Sequence, residues 1–298
     1  MKKVKEKSRN TRLFNIVAIS VICLQLVLVF LPCVWGIAQT FKSRANWITD
    51  KIGLPDNPTL KSYDLFFRYF YVDIVKNGVP KKVYFEGTII NTLLYAGGTS
   101  FFGFVVQYVT AYLLFRYRHF KSSPVFYAII VIAINLPLAG GVAASLKLYH
   151  SLGFYDNMIA MWVLNAHPLN FYFLVLYAAF YAVPNDLYEA AEVDGASRVM
   201  IMVRIALPLV KGVVLLFFLN TFIAAWNDYQ TCLMYMPSYP TVGYALYKFN
   251  LLSSPPEAAH STVKLTGALM CAIPVIILFA IFGNKMMQGV SVAGGIKG

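Results

Sequence analysis

Four residues, Asn220, Trp226, Asn227 and Asp228, bring polar chemistry into an otherwise apolar run of the sequence. Amide and carboxylate groups can hydrogen-bond hydroxyl groups, and an indole ring offers a flat face for stacking. A charge inside a membrane costs roughly 2.5–3.5 kcal/mol, so Asp228 should face a wet cavity or a partner. The four residues are candidate contacts for a polyhydroxylated solute. The alternative is a helix break in which Asp228 satisfies local backbone groups, and the residues alone leave both interpretations open.

A second polar region, residues 184–206, lies between two apolar runs and has the spacing of a helix–turn–helix. Asp186 can accept a bond from the first helical turn, and Glu189 completes an Asp variant of the capping box. Gly195 suits the end of this helix because glycine tolerates positive φ. Ser197 is placed to cap the next helix. We call residues 184–206 the coupling segment.

Proline and alanine residues support the same prediction for the coupling segment. Pro184 suits a helix start, and Pro208 would disturb the second helix after Leu207. Ala190 and Ala191 favour helix and have little side-chain bulk, so another surface can approach them closely. The alternative is an amphipathic surface helix that only connects two membrane spans.

No pattern typical of catalysis or of a metal site competes with these two regions. The run from Gly98 to Gly103 lacks the lysine of a phosphate-binding loop, and its glycines more simply allow close helix packing. The histidines and cysteines lack metal-site or nucleophile spacing: His119, His150, His167, His260, Cys23, Cys33, Cys232 and Cys271. The sequence therefore predicts no catalytic residue, no metal and no cofactor bound by this chain.

The composition indicates an all-α integral membrane protein. Hydrophobic residues make up 59% and charged residues 13% of the 298 residues, and the mean hydropathy is +0.63. The apolar runs lack the alternation of barrel strands, and only helices or closed barrels satisfy the backbone in hydrocarbon. Six transmembrane helices are predicted, at residues 13–37, 87–115, 122–146, 171–183 after a break at 165–168, 207–236 and 265–284.

Lysine and arginine placement predicts the orientation. Basic residues crowd positions 1–12 and the short link at 116–121, so both regions should be cytoplasmic. With six spans, the coupling segment and the 289–298 tail also face the cytoplasm, while residues 38–86 form a long extracytoplasmic loop. The membrane core would then be residues 87–288. The net charge of +12 lies at membrane-flanking positions, which favours anionic lipid over nucleic acid as a partner.

Several motifs give the chain a resemblance to a known family. They are Asn91-Thr92-Leu93, Ala111-Tyr112 with Arg116, the stretch from Glu189 to Pro208, Trp226-Asn227-Asp228, and the terminal Gly294-Gly295-Ile296-Lys297-Gly298. Together they span most of the sequence. The chain resembles the inner-membrane permease of binding-protein-dependent ABC importers, in the carbohydrate branch that includes the second maltose permease subunit.

This resemblance implies the type I ABC importer permease fold and a set of partners in a bacterial plasma membrane. The partners would be a second permease in a heterodimer, two cytoplasmic ATPase subunits that hold ATP and Mg, an extracellular solute-binding protein and an oligosaccharide. The resemblance also implies two sets of ATPase-contacting residues: Glu189, Ala190, Ala191, Asp194 and Gly195 in the coupling segment, and Gly294, Gly295 and Lys297 in the tail. An importer for an amino acid, phosphate or metal stays open, as do a secondary transporter and a membrane-embedded transferase.

Overall fold

The computed structural model describes residues 2–76, 78–136, 141–252 and 256–293. The chain forms two compact units, one of residues 1–69 with 252–270 and the other of residues 70–251 with 271–298. Described helices and strands are, in order, α1 (Lys2–Thr40), α2 (Arg44–Thr49), α3 (Lys61–Tyr69), β1 (Tyr71–Lys76), β2 (Val79–Tyr84), α4 (Phe85–Arg116), α5 (Ser122–Asn135), α6 (Val142–Ser151), α7 (Met158–Asn165), α8 (Phe171–Tyr181), α9 (Asp186–Val193), α10 (Arg198–Met200), a π-helical turn (Ile201–Ala206), α11 (Leu207–Leu209), α12 (Lys211–Asn227), α13 (Gln230–Tyr235), α14 (Val242–Leu252) and α15 (Ser261–Ala293).

In the first unit, α1 leads into a well-bonded turn. None of residues 14–38 in this helix is buried by other parts of the chain, as expected of a helix surrounded by lipid. Beyond its end, Lys42 is fully buried and donates from Nζ to the Asp50 carbonyl at 2.6 Å. The Asp50 carboxylate accepts from the N–H groups of Gly53 and Ile52, both at 3.0 Å, and these bonds lower its pKa.

In the second unit, a β-hairpin precedes the long helix α4. Strands β1 and β2 pair antiparallel, with Val72 opposite Val83, and Val72 and Ile74 turn into the core. Residues 38–86 were expected only to be a loop, and the hairpin is an additional element. Alternation of apolar and polar residues in β1 fits a strand with one buried face.

Helix α4 is the central element of the second unit and packs against α7, α8 and α12. Buried aromatic side chains fill these contacts, including Phe104, Phe173, Phe180 and Phe217. Gly98 allows α4 to approach α7, since a Cβ there would lie only 2.2 Å from the Trp162 ring. The sequence interpretation of this glycine as a packing residue is confirmed.

The membrane spans follow the predicted apolar runs but are more broken than predicted. Three described helices are long and apolar enough to cross a bilayer: Phe14–Thr40, Phe85–Arg116 and Ser261–Gly283. A fourth is the pair Arg198–Leu209 and Lys211–Asn227, which is bent by 79°. The shorter apolar helices α5 and α8 lie within the predicted third and fourth spans. A total of six spans is compatible with this arrangement and stays a prediction.

Two of the predicted spans are not single continuous helices. The predicted fifth span started near Leu207 and ran past Trp226 towards Met236, but α12 begins at Lys211 after the bend and ends at Asn227. Proline at 208, which cannot donate to the helix ladder, precedes the first break, and Asp228 leaves helical geometry at the second. The predicted third span covered residues 122–146, but α5 ends at Asn135 and α6 begins only at Val142; residues 137–140 lie outside the described part.

Candidate functional site

The coupling segment forms the predicted helix–turn–helix, with a different start. Helix α9 begins at Asp186, so this residue lies inside the helix and not at its cap position. The cap position is held by Asn185, whose backbone is itself helical, at φ −65° and ψ −28°. The prediction that Asp186 caps this helix was therefore wrong. Glu189 instead accepts a hydrogen bond from the Asn185 amide. The start of α9 is still held by a bond between these two positions one helical turn apart.

Gly195 ends α9 as predicted. Its φ is +79°, and its N–H donates to the Glu192 carbonyl at 3.0 Å while the Ala196 N–H donates to the Ala191 carbonyl at 3.0 Å. These two bonds define a Schellman motif, which needs a left-handed residue at the position of Gly195. A sharp, fully bonded turn therefore separates α9 from the next helix.

Ser197 caps that next helix, as predicted, by accepting from the Met200 N–H at 3.3 Å. The helical run then continues past the predicted end near Pro208 and stops at Leu209. A π-helical turn at Ile201–Ala206 ends two residues before the proline. Such wider turns accommodate disturbance of the normal bonding ladder, which proline imposes. The segment therefore tolerates Pro208 within its last turn.

Helix α9 has two distinct faces. Tyr188, Ala191 and Glu192 turn towards α4, with Tyr188 0% and Ala191 8% exposed. Glu189, Ala190 and Val193 lie on the opposite face and are exposed, Val193 at 88%. Asp194 and Gly195 follow on the exposed turn. Of the predicted coupling residues, Ala191 alone is buried against this chain's own core.

The buried face of α9 is fixed by aromatic packing. The Tyr188 ring centroid lies 6.5 Å from that of Tyr112 and 5.9 Å from that of Phe115, both on α4. Burial raises the pKa of Tyr188 to about 12, so the phenol stays neutral at physiological pH. Packed aromatic pairs of this kind contribute about 0.5–1.5 kcal/mol beyond their buried area. Tyr188 therefore anchors α9 on α4.

Three polar contacts attach the coupling segment to α4 and to Tyr117, the residue directly after α4. Before the Gly195 turn, Glu192 forms an ion pair with Arg116. After the turn, Arg198 donates to the Tyr117 hydroxyl at 3.1 Å, and the Tyr108 hydroxyl donates to the Met202 carbonyl at 2.7 Å. Both helical parts of the coupling segment therefore contact the same helix, α4. The sequence did not reveal these pairings, because each joins residues more than 70 positions apart.

The opposite end of α4 binds a second segment in the same way. Asn91 donates to the Pro240 carbonyl at 3.1 Å, and the Thr92 hydroxyl accepts from the Val242 N–H at 2.7 Å. One helical turn on, the Tyr95 hydroxyl donates to Asp228 Oδ2 at 2.9 Å. Helix α4 therefore makes specific bonds both to the coupling segment and to residues 228–242.

The candidate solute residues do not form one polar site. Trp226 is 2% exposed and donates from its indole to the Cys271 carbonyl at 3.1 Å, so its ring is not available for stacking. Asn220 donates to the Leu216 carbonyl at 2.9 Å and Asn227 to the Ile223 carbonyl at 2.8 Å. Of the four, only Asn227 is exposed.

Asp228 serves the backbone at a helix break. Its Oδ1 accepts from the Thr231 N–H at 3.0 Å, and its carbonyl accepts from the Thr241 hydroxyl at 3.3 Å. With Tyr95 on Oδ2, both carboxylate oxygens have partners. Of the two interpretations that the sequence left open for Asp228, this geometry favours the helix break.

Two remaining site predictions concern the tail and metals. Gly294, Gly295 and Lys297 lie outside the described residues. Within the described ranges, no group of three or more His, Cys, Asp and Glu side chains is placed to hold a metal ion.

A helical membrane chain whose coupling segment is bonded to a long core helix fits the class of membrane transport permeases. The family model for the binding-protein-dependent transport system inner membrane component matches residues 99–286, well over half of the chain. The chain belongs to this family. It is a membrane-embedded permease component of an ABC transporter, and its sequence-based recognition as an importer permease is confirmed.

Two relatives match over three-quarters or more of the chain, and a solved structure has a similar fold. The inner membrane ABC transporter permease protein YcjP of Escherichia coli is 28% identical, over 76% of this chain and 79% of that protein. The galactooligosaccharides transport system permease protein GanQ of Bacillus subtilis is 25% identical, over 91% and 92%. A crystal structure of a bacterial ABC transporter involved in the import of the acidic polysaccharide alginate matches with TM-score 0.74 and 20% identity, over 93% and 97%.

Proposed function

We propose that this chain forms half of the translocation path of an ABC importer for an oligosaccharide, in a heterodimer with a second permease. Membership of the permease family supports the transport role. Similarity to a permease named for galactooligosaccharides, over nine-tenths of both chains, supports the solute class. An external solute-binding protein would deliver the oligosaccharide. Asn227, the exposed member of the candidate set, is the residue that we retain as a solute contact.

The mechanism rests on one observation: one face of α9 is exposed and the opposite face packs on α4. Two cytoplasmic ATPase subunits, which bind ATP and Mg, would contact Glu189, Ala190, Val193, Asp194 and Gly195. Because Tyr188 and Glu192 are fixed to α4 on the opposite face, displacement of α9 must displace α4 as well. Helix α4 would carry that displacement to residues 228–242 and change the side from which the path is open. This is alternating access by motion of nearly rigid bodies.

The proposal also sets the orientation of the chain. The coupling segment and both termini would face the cytoplasm of a bacterium, and residues 38–86 the exterior, as the basic residues at 1–12 and 116–121 indicate. Gly294, Gly295 and Lys297 would then reach the ATPase subunits from the tail.

The docking role is tested by comparing Gly195→Trp with Gly153→Trp. Both glycines have positive φ, +79° and +69°, and both have open space where a Cβ would lie. The backbone strain of a non-glycine residue is therefore similar, on the order of 1–2 kcal/mol. We expect Gly195→Trp to reach the membrane but to lose solute uptake and co-purifying ATPase, because bulk is added to the docking surface. Gly153→Trp should keep both.

Normal uptake by Gly195→Trp would refute the docking role. Equal loss in the two variants would attribute the effect to strain alone. Recovery of the ATPase in co-purification, measured for each variant at equal membrane content, separates these outcomes.

The solute class is tested separately on the purified solute-binding protein of the system. We expect thermal stabilisation by an oligosaccharide and none by amino acids, phosphate or divalent metals, because ligand binding to the native state raises its melting temperature. Stabilisation by one of the other solutes would replace the oligosaccharide and keep the importer. ATP-independent uptake by the chain alone would instead identify a secondary transporter.

A further inference from the structure

A cavity of about 420 Å³ lies between the Arg116 end of α4 and the coupling segment. Its walls are part apolar and part polar; the apolar side chains include Val109 and Leu113 of α4 and Val199 and Met202 of the coupling segment. Val199 is 66% exposed, so this wall opens to the surroundings. Residues of the contacts that attach the coupling segment to α4 line this space: Arg116, Tyr117, Glu192, Arg198 and Met202.

The lining of the cavity carries an excess of positive charge. The lining contains Arg116, Arg198 and the acidic Glu192, which pairs with Arg116. The bonds described above engage one nitrogen of each guanidinium, Arg116 with Glu192 and Arg198 with Tyr117. A guanidinium has five N–H donors in a planar fork, so each can also bind an anion. Phosphate oxygens match this geometry.

A second, apolar groove of about 300 Å³ adjoins the cavity and shares Leu113, Tyr117 and Phe120 with it. Leu114 of α4 and Phe126 near the start of α5 extend its wall. Phe120 and Phe126 are 62% and 58% exposed. The two spaces together have a cationic end and a hydrophobic end.

We propose that an anionic phospholipid binds here, with its phosphate at Arg116 and Arg198 and one acyl chain in the adjoining groove. The position fits a lipid, since it lies where the 32-residue apolar helix α4 ends and aromatic and basic residues gather, as they do at headgroup depth. The lipid bridges α4 and the coupling segment, because Arg116 belongs to the first and Arg198 to the second. It thereby stiffens the joint that carries motion between them.

The site is tested on the assembled complex in nanodiscs of phosphatidylcholine that contain a fixed fraction of phosphatidylglycerol. Native mass spectrometry of the complex released into mild detergent counts the phosphatidylglycerol that stays bound. We expect Arg198→Gln to retain this lipid about fivefold more weakly, as loss of one basic contact near a membrane surface predicts. Arg204→Gln is the matched control, because Arg204 is an exposed arginine of the same helical run outside the cavity lining.

A second variant removes the space without changing charge. Val199→Trp places an indole in the cavity, and we expect the same loss of phosphatidylglycerol. Because only the fully assembled species is counted, a variant with less complex in the membrane still gives a valid ratio. Should Arg198→Gln fail to assemble, Val199→Trp decides the question alone.

Three results would overturn the proposal. The first is equal retention of phosphatidylglycerol by wild type, Arg198→Gln and Val199→Trp. The second is displacement of the lipid by inorganic phosphate at millimolar concentration, which would identify a free-anion site. The third is efficient crosslinking of a photoreactive residue at 199 to a partner protein in place of lipid, which would assign the cavity to a protein contact.

Discussion

Asp228 shows how a single carboxylate is accommodated in an apolar stretch. Both of its oxygens accept hydrogen bonds, one from the Tyr95 hydroxyl on α4 and one from the Thr231 N–H. A charge withdrawn from water without such partners would be strongly destabilising. Tyr95 is itself 2% exposed, so the pair joins two elements inside the fold.

Tyr95→Phe removes the hydroxyl and keeps the ring. We expect a loss of about 1.5–3 kcal/mol in stability, the usual contribution of a hydrogen bond to a charged group. The apparent melting temperature of the purified complex in detergent measures this loss. Tyr155→Phe, at a partly exposed position, is the control and should change it little. Equal melting temperatures for the two variants would contradict a structural role for the Tyr95–Asp228 bond.

Among the elements, α4 has the widest set of contacts. Its 32 residues extend about 48 Å at about 1.5 Å per residue, enough to cross a bilayer. Hydrogen bonds tie one end to residues 228–242 and the other to the coupling segment. Its middle is held by close packing, with Gly98 against Trp162 of α7. A change in this packing should therefore alter the contacts at both ends of α4.

Gly97 and Gly98 form a matched pair for testing that packing. We expect Gly98→Ala to destabilise the complex by about 1–3 kcal/mol, because the added methyl group would overlap the Trp162 ring. Gly97 has open space at the same point of the helix, so Gly97→Ala should be neutral or stabilising by up to about 1 kcal/mol. Thermal unfolding of both variants gives the comparison. The reverse order would show that α4 and α7 do not pack as described.

At the scale of the whole molecule, the exposed face of α9 is a surface that a partner protein can contact. A helix that shows Glu189, Ala190 and Val193 to solvent while its other face is anchored presents a surface for a partner. The sequence contains no phosphate-binding loop of its own. Under the proposed function, energy for transport enters through that partner.

Reconstitution in liposomes tests this dependence. We expect no ATP-driven uptake by the chain alone, and uptake only when the second permease, the ATPase and the solute-binding protein are present together. Uptake is measured with a radiolabelled oligosaccharide at equal protein content. Omission of ATP from the complete system is the control and should abolish uptake. ATP-driven uptake without the ATPase subunit would contradict the proposed division of labour.

The sequence by itself determined the class of the protein and the turn and helix cap of the coupling segment. Scarcity of charge fixes a membrane environment whatever the packing, because polar groups cannot be left unpaired in hydrocarbon. The Gly195 turn and the Ser197 cap were predictable for a similar reason. Each depends on bonds between residues at most five positions apart.

Tertiary structure alone decided which side of each element faces inward. Ala191 and Trp226 were predicted to contact partner or solute and are buried, while Val193 was overlooked and is exposed, although it lies one turn after Ala190. The fifth span was predicted at residues 207–236 with a break at Asp228 left open. It is broken between Leu209 and Lys211 and again at Asp228, where the Tyr95 hydroxyl of α4 donates to the Asp228 carboxylate. Burial and the pairing of distant residues depend on how helices meet in space. A periodic apolar pattern in a membrane chain does not show which helix face is buried, because an apolar side chain can face either lipid or another helix.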